Sequence, residues 1–164
     1  MLDTVYLIFF AFHLFCTLSI DLLPLYPQHV VPQFLFDIQN FYVSQSNDPH
    51  FVYFNSPENA WFRLFLGFEL VFQVPCFVAA LYTFSTNSRR FWPLLVLYAG
   101  HTCTTTFACL ANIMYGPHAH TLSAEQRVFI IANYVPFLAV PLLMGADLCL
   151  RMSRTLQSSK HKTL

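Results

Sequence analysis

The chain has 164 residues, a formal net charge of zero, 10% charged and 56% hydrophobic residues, and a mean hydropathy of +0.51. A soluble domain carries about 25% charged residues, so this composition excludes an ordinary water-soluble enzyme or binding module and assigns the chain to a membrane. The few Lys and Arg form no face with interleaved aromatics, which excludes a nucleic-acid platform.

Four apolar stretches reach the length of about 20 residues that spans a bilayer, and they predict an all-α, four-transmembrane-helix bundle forming a single domain over residues 1–164. The first runs from Val5 to Leu25. Met1-Leu2-Asp3 is acidic and the apolar run contains Asp21, neither of which suits a cleaved signal, so this helix is expected to be retained. The connector from Tyr26 to Glu58 combines Pro27, Pro32, Pro49 and Pro57 with Phe34, Phe41, Tyr42, Phe51 and Tyr53. Proline punctuates helices and aromatics prefer buried or interfacial positions, so short helical pieces packed as a lid are expected there. The second span, Trp61 to Phe84, contains the run Phe-Glu-Leu-Val-Phe-Gln-Val-Pro from Phe68 to Pro75. The third, Phe91 to Tyr115, carries His101-Thr102-Cys103-Thr104-Thr105-Thr106, and the fourth, Arg127 to Leu150, carries Tyr134, Pro136 and Pro141. Cys16, Cys76, Cys103, Cys109 and Cys149 fall inside spans without C-x-x-C spacing and read as small packing residues.

Basic residues mark the cytosolic flank of a span. Arg89 and Arg90 between spans two and three, with Arg151, Arg154, Lys160 and Lys162 after span four, share one side, which puts both termini in the cytosol. Residues 151–164 are expected to form a basic cytosolic tail. Lys160 and Lys162 stand five and three places from the carboxyl end, a spacing that resembles the dilysine retrieval signal of reticulum membrane proteins, an address rather than an anchor. A generic basic tail touching anionic lipid is the alternative reading.

Carboxylates within apolar spans usually face a bundle interior or a water-filled cavity. From the lumenal side, Glu69, Thr105 and Tyr134 fall at roughly 13 to 16 Å depth and Asp21 at roughly 6 to 8 Å, taking the helical rise per residue. Glu69 and Gln73, four apart, share a helix face. Asp21, being shallower, is expected to be the ionised acid, and Glu69 the neutral one that donates to Asp21 or Gln73, an arrangement suited to an amine. The threonines are accounted for by hydrogen bonds returned to the preceding helical turn, and Tyr134 by either pocket lining or helix packing. His101 has no His, Cys or carboxylate three or four residues away, so no metal site is expected and a hydrogen-bonded core histidine is. His118 and His120 beside Gly116-Pro117 read as an exposed turn. No cofactor motif is found.

Asp21-Leu22, Asp48-Pro49, Ala60-Trp61-Phe62, the run Glu69 to Pro75, His101-Thr102 with Thr104-Thr105, and Tyr134 with Pro136 and Pro141 together resemble the transmembrane protein 97, or sigma-2 receptor, family, in the EXPERA group with the emopamil-binding sterol isomerase. That resemblance implies a four-helix reticulum protein, commonly a homodimer, whose cavity takes sterol or oxysterol-like lipids and cationic amphiphilic ligands. It assigns Asp21 to the ligand amine, Glu69 to a neutral partner of Asp21, Gln73, Thr105 and Tyr134 to the wall, and Asp48 to bracing the connector. The isomerase branch has a His and a Glu one turn apart on one helix; here the residue four after His101 is Thr105, so the evident proton-transfer pair is missing. Three functions follow: a non-enzymatic lipid-binding protein acting on sterol homeostasis, with a sterol-transport protein as partner; a reticulum-surface factor for mitochondrial precursors; and an isomerase-like enzyme.

Overall fold

The structure is a computed structural model that describes residues 2–160, and side chains as far as Ser158. It is helical throughout, with no strand among the described residues. Four helical stretches are long and apolar enough to cross a membrane: Leu2–Asp21, Pro57–Thr86, Trp92–Tyr115 and Ala124–Ser158. The first comprises α1 (Leu2–Cys16) and one π-helical turn (Thr17–Asp21), and it ends at Asp21 rather than at Leu25. Pro24 supplies no N–H, so the chain leaves the helix through a 3-10 turn at Leu23–Leu25, followed by a second at Gln28–Val30.

The connector holds one substantial helix, α2 (Gln33–Ser46, 14 residues), longer than the short pieces expected, and the single-turn α3 (Pro49–Val52). Asn47 ends α2 in the left-handed conformation (φ 51°), a position that Asn tolerates better than most side chains. The second span is α4 (Ala60–Phe68), a π-helical turn (Glu69–Gln73) and α5 (Val74–Thr86). The third is α6 (Trp92–Tyr115) and the fourth α7 (Ala124–Lys160). A reciprocal capping box opens α7: Gln126 N donates to Ser123 Oγ and Ser123 N to Gln126 Oε1, both at 3.1 Å. Helix α7 runs on into the segment expected as a basic tail, as far as Lys160. The retrieval reading rests on Lys162 and on the Lys160 side chain, both outside the described residues.

In the bundle α1 lies against α5 and α6 runs along α7. The α6–α7 approach is close: a Cβ on Gly145 would stand 2.8 Å from the Ala99 Cβ, so this crossing requires glycine. The core divides into layers. At the end carrying both termini, Phe10, Phe77, Leu95, Tyr98, Met144 and Leu148 are fully buried. At the connector end, Leu22, Phe62, Leu66 and Cys109 pack with Phe51 and Phe54 from the lid and with Trp61 of the second span. Arg63 and Arg127, the two cations at that end, are taken up by loop carbonyls: Arg63 donates to Phe54 O and to Ser56 O (2.9 Å), and Arg127 to Ala119 O (2.7 Å). His118 is not a free turn residue, since its ring stacks on Tyr53 at 3.6 Å and its Nε2 lies 3.1 Å from Glu58 Oε2.

Candidate intramembrane binding cavity

Between the two core layers lies a cavity of about 380 Å³, within the usual range of small-molecule pockets. Its existence follows from side-chain size on α6. Thr102, Thr105, Thr106 and Cys109, at i, i+3, i+4 and i+7, place a stripe of small residues on the face that lines it. All five residues expected to form a pocket, Asp21, Glu69, Gln73, Thr105 and Tyr134, line this one space.

Both carboxylates are mounted on π-helical turns. In α4–α5 the cause is Pro75, which has no N–H to offer four residues back; Val74 N reaches instead to Glu69 O, five residues back. In the first span Leu22 N bonds Thr17 O at 3.0 Å. The Ile20 carbonyl, four residues before Pro24, accepts from Gln39 Nε2 of α2 at 3.1 Å, which docks the connector onto the end of the first span. Each wide turn rotates the residues beyond it, so faces read from a uniform 3.6-residue period are displaced there.

The hydrogen bonding differs from the expectation for Glu69. No hydrogen bond joins Glu69 to Asp21 or Gln73 among the described residues. The buried Thr17 hydroxyl donates to Glu69 Oε1 at 2.7 Å, linking one π turn to the other. Gln73 Oε1 accepts from the Thr102 hydroxyl at 2.9 Å, which fixes its amide and leaves the NH₂ group free to donate. Thr105 returns its hydroxyl to the carbonyls of His101 (3.2 Å) and Thr102 (3.1 Å). Asp21 stands at the last position of its turn, half-buried and on the cavity wall. Since a hydroxyl has one proton, the Thr17 proton held by Glu69 is not available to Asp21.

Asp48 is fully buried and organises the lid. Its Oδ2 accepts from Tyr42 OH at 2.8 Å and Tyr134 OH at 3.2 Å; its Oδ1 accepts from His50 N at 3.0 Å and lies 2.9 Å from His50 Nδ1. Burial opposes ionisation, but the hydrogen bonds and charge from His50, with the bond from Tyr42, outweigh it and hold the carboxyl below its ordinary value. Burial and the Asp48 charge push the Tyr42 phenol up, so it remains a donor. Tyr134, from α7, thereby belongs to both the cavity wall and the lid. His101 lies elsewhere: its ring meets Phe72 at 5.2 Å and Phe68 at 5.9 Å, its buried Nδ1 has no partner, and the hydrogen-bonded core histidine expected from the sequence is not formed.

Sequence reasoning missed Thr17 and His13. His13 lines the cavity, 5% exposed, with its ring 4.5 Å from both Phe77 and Phe137 and its Nδ1 3.2 Å from Tyr98 OH. The signal was present, since 13, 17 and 21 are spaced by four and mark one helix face. Toward the lipid, the wall is incomplete between α1 and α7, where Phe12, Asn133 and Pro136 are at once lining and exposed.

A polytopic helical membrane protein with an aromatic-walled cavity that holds two carboxyl groups and opens toward the lipid is the class that this arrangement defines. The family described as EXPERA (EXPanded EBP superfamily) matches residues 34–148, and the chain belongs to it. Among curated relatives, it is similar to "Sigma intracellular receptor 2" of Macaca fascicularis, 30% identical over 148 residues (84% of this chain, 81% of the relative), and of Xenopus tropicalis, 28% identical over 150 residues (88% and 85%). It is also similar to "Efficient mitochondria targeting-associated protein 19" of Schizosaccharomyces pombe, 28% identical over 161 residues (97% and 81%).

Proposed function

We propose that this chain is a non-enzymatic membrane protein of the endoplasmic reticulum that binds sterol-like lipids and cationic amphiphiles in its cavity and thereby regulates sterol homeostasis or trafficking. The observation that carries the reading is an aromatic cavity of about 380 Å³ with the half-buried Asp21 carboxylate on its wall. The apolar wall suits a rigid hydrocarbon body. Asp21 receives the ammonium of a cationic ligand, and the free NH₂ of Gln73 can donate to a sterol hydroxyl. The similarity to proteins named as receptors supports binding over turnover. Thr105, whose hydroxyl is returned to its own helix, supplies no acid opposite His101. Both termini face the cytosol in this reading; Arg89, Arg90, Arg151 and Arg154 support it, while Arg63 and Arg127 at the other end are bound to loop carbonyls. A photoreactive sterol is expected to label cavity residues on irradiation, less so when a cationic amphiphile competes, and a sterol incubated with the purified protein in the dark is expected to be recovered chemically unchanged. Isomerised sterol in the recovered fraction would replace this reading with the enzymatic one.

A second reading, a reticulum-surface factor assisting mitochondrial precursors, is favoured by the name of the fission-yeast relative, which matches nearly the whole chain. Crosslinking of the protein to nascent mitochondrial precursors, and their mislocalisation in its absence, would support this reading; free passage of precursors without it would remove it.

A further inference from the structure

At the end of the bundle opposite the lid, a second cavity of about 370 Å³ lies between the start of α1, the turn joining α5 to α6, and the last turns of α7. Asp3, Thr83, Asn87, Arg89, Arg151 and Arg154 are among the residues that line it. Arg151 is paired with two carboxylates: its guanidinium lies 2.7 Å from Asp3 Oδ1 and 2.6 Å from Asp147 Oδ2. Arg89 sits over the Trp92 ring at 5.5 Å, and neither Arg89 nor Arg154 meets a carboxylate among the described residues. With Arg151 shared between two carboxylates, Arg89 and Arg154 leave the cluster with a net charge of plus one.

Thr83 is the independent observation. It is 1% exposed, and its hydroxyl has no hydrogen-bond partner. A threonine inside a helix ordinarily returns its proton to the carbonyl four residues back, as Thr86 and Thr104 do here at 2.7 and 2.8 Å. Thr83 does not, and it lines the cavity. An unpaired buried hydroxyl is costly and points to an acceptor that completes the site. The net positive charge of the cluster favours an anion, and arginine forks pair with phosphate oxygens in bidentate fashion. Placed where spans α5, α6 and α7 reach the membrane surface, the cavity also lies at the depth of lipid headgroups.

We infer that this second cavity binds a phosphate monoester, with Arg89 and Arg154 supplying the compensating charge and the Thr83 hydroxyl a buried hydrogen bond. The group is carried either by an anionic lipid headgroup or by free phosphate.

The test uses the full chain purified in a neutral detergent. Native mass spectrometry is run with phosphatidic acid and with phosphatidylcholine, and the shift of the melting temperature is measured with inorganic phosphate. Phosphatidic acid is expected to be retained in preference to phosphatidylcholine. Thr83→Val, which keeps the shape and removes the hydroxyl, should weaken retention by about tenfold, the scale of one hydrogen bond to a charged group. Without phosphate its melting temperature should not fall below the parent's, because the hydroxyl has no protein partner to lose. The double variant Arg89→Ala/Arg154→Ala should abolish the preference. A melting-temperature rise with inorganic phosphate that Thr83→Val loses, together with equal retention of the two lipids, would assign the site to free phosphate. Equal phosphatidic acid retention by the parent and both variants, or no response to either probe, would overturn the inference.

Discussion

Replacing Asp21 by Asn removes the carboxylate that the cavity offers to a cation. Thr17 gives its single proton to Glu69 Oε1 at 2.7 Å, so both Asp21 oxygens are left without a donor among the described residues and face the cavity open to a ligand ammonium. The cavity is walled largely by aromatic rings and opens toward lipid rather than water, so an amine bound there is largely desolvated. Breaking a buried ion pair by removing one partner costs about 3–5 kcal/mol, which at about 1.4 kcal/mol per decade corresponds to a loss of affinity of about two to three and a half orders of magnitude. Asparagine is nearly isosteric, so the melting temperature of the unliganded variant should stay close to the parent's. Glu69→Gln is expected to be mild, within about tenfold, because the amide oxygen still accepts from Thr17 and only a hydrogen bond of ordinary strength is altered. Equilibrium binding of a radiolabelled cationic amphiphile to the purified parent and both variants measures the two effects. If Asp21→Asn binds within a few-fold of the parent while Glu69→Gln does not bind, the two acids have the opposite roles, and the account of how Thr17 divides them is wrong.

Removing the Asp48 carboxylate should cost more stability than any other single polar change, because Tyr42, Tyr134 and the backbone N and Nδ1 of His50 lose their partner; Asp48→Ala is expected to destabilise by about 3–5 kcal/mol, against about 1 kcal/mol for Tyr134→Phe, measured by thermal unfolding. The folded carboxyl is held below its ordinary value, so its contribution is complete above the unfolded pKa of about 4 and is lost as pH falls through the folded value. An Asp48→Asn variant should accordingly lose less stability than the parent as the pH falls below about 4; parallel acid curves would count against the network. Thr17→Val should cost about 1–3 kcal/mol by leaving Glu69 without its donor in a buried site, so an unchanged melting temperature would show that water or another side chain replaces the hydroxyl. Changing Lys160 and Lys162 to Ser is expected to release the protein from the reticulum to later compartments, as imaging would show, and a C-terminal tag should be cleaved by protease added outside sealed reticulum vesicles; unaltered localisation or a protected tag would contradict the retrieval reading or the orientation respectively.

The four spans were legible in the sequence because hydropathy is additive along a chain, and a run of about 20 apolar residues has few alternatives to crossing a bilayer. The grouping of Asp21, Glu69, Gln73, Thr105 and Tyr134 could also be anticipated, since a fixed rise per residue converts sequence position into depth within a span. Depth leaves rotation open. Rotation depended on the π turns beside Pro75 and before Pro24, which shift the residues beyond them off a uniform helical period. Only the folded bundle therefore decided that Thr17, rather than Asp21 or Gln73, is the partner of Glu69, and that Thr102 orients Gln73. The lid shows the same division: Pro and aromatic content predicted a packed connector, but the convergence of Tyr42, Asp48, His50 and Tyr134 joins residues up to 86 positions apart along the chain. Such contacts have no local signature, because they are selected by which helices pack together and not by the preferences of neighbouring residues.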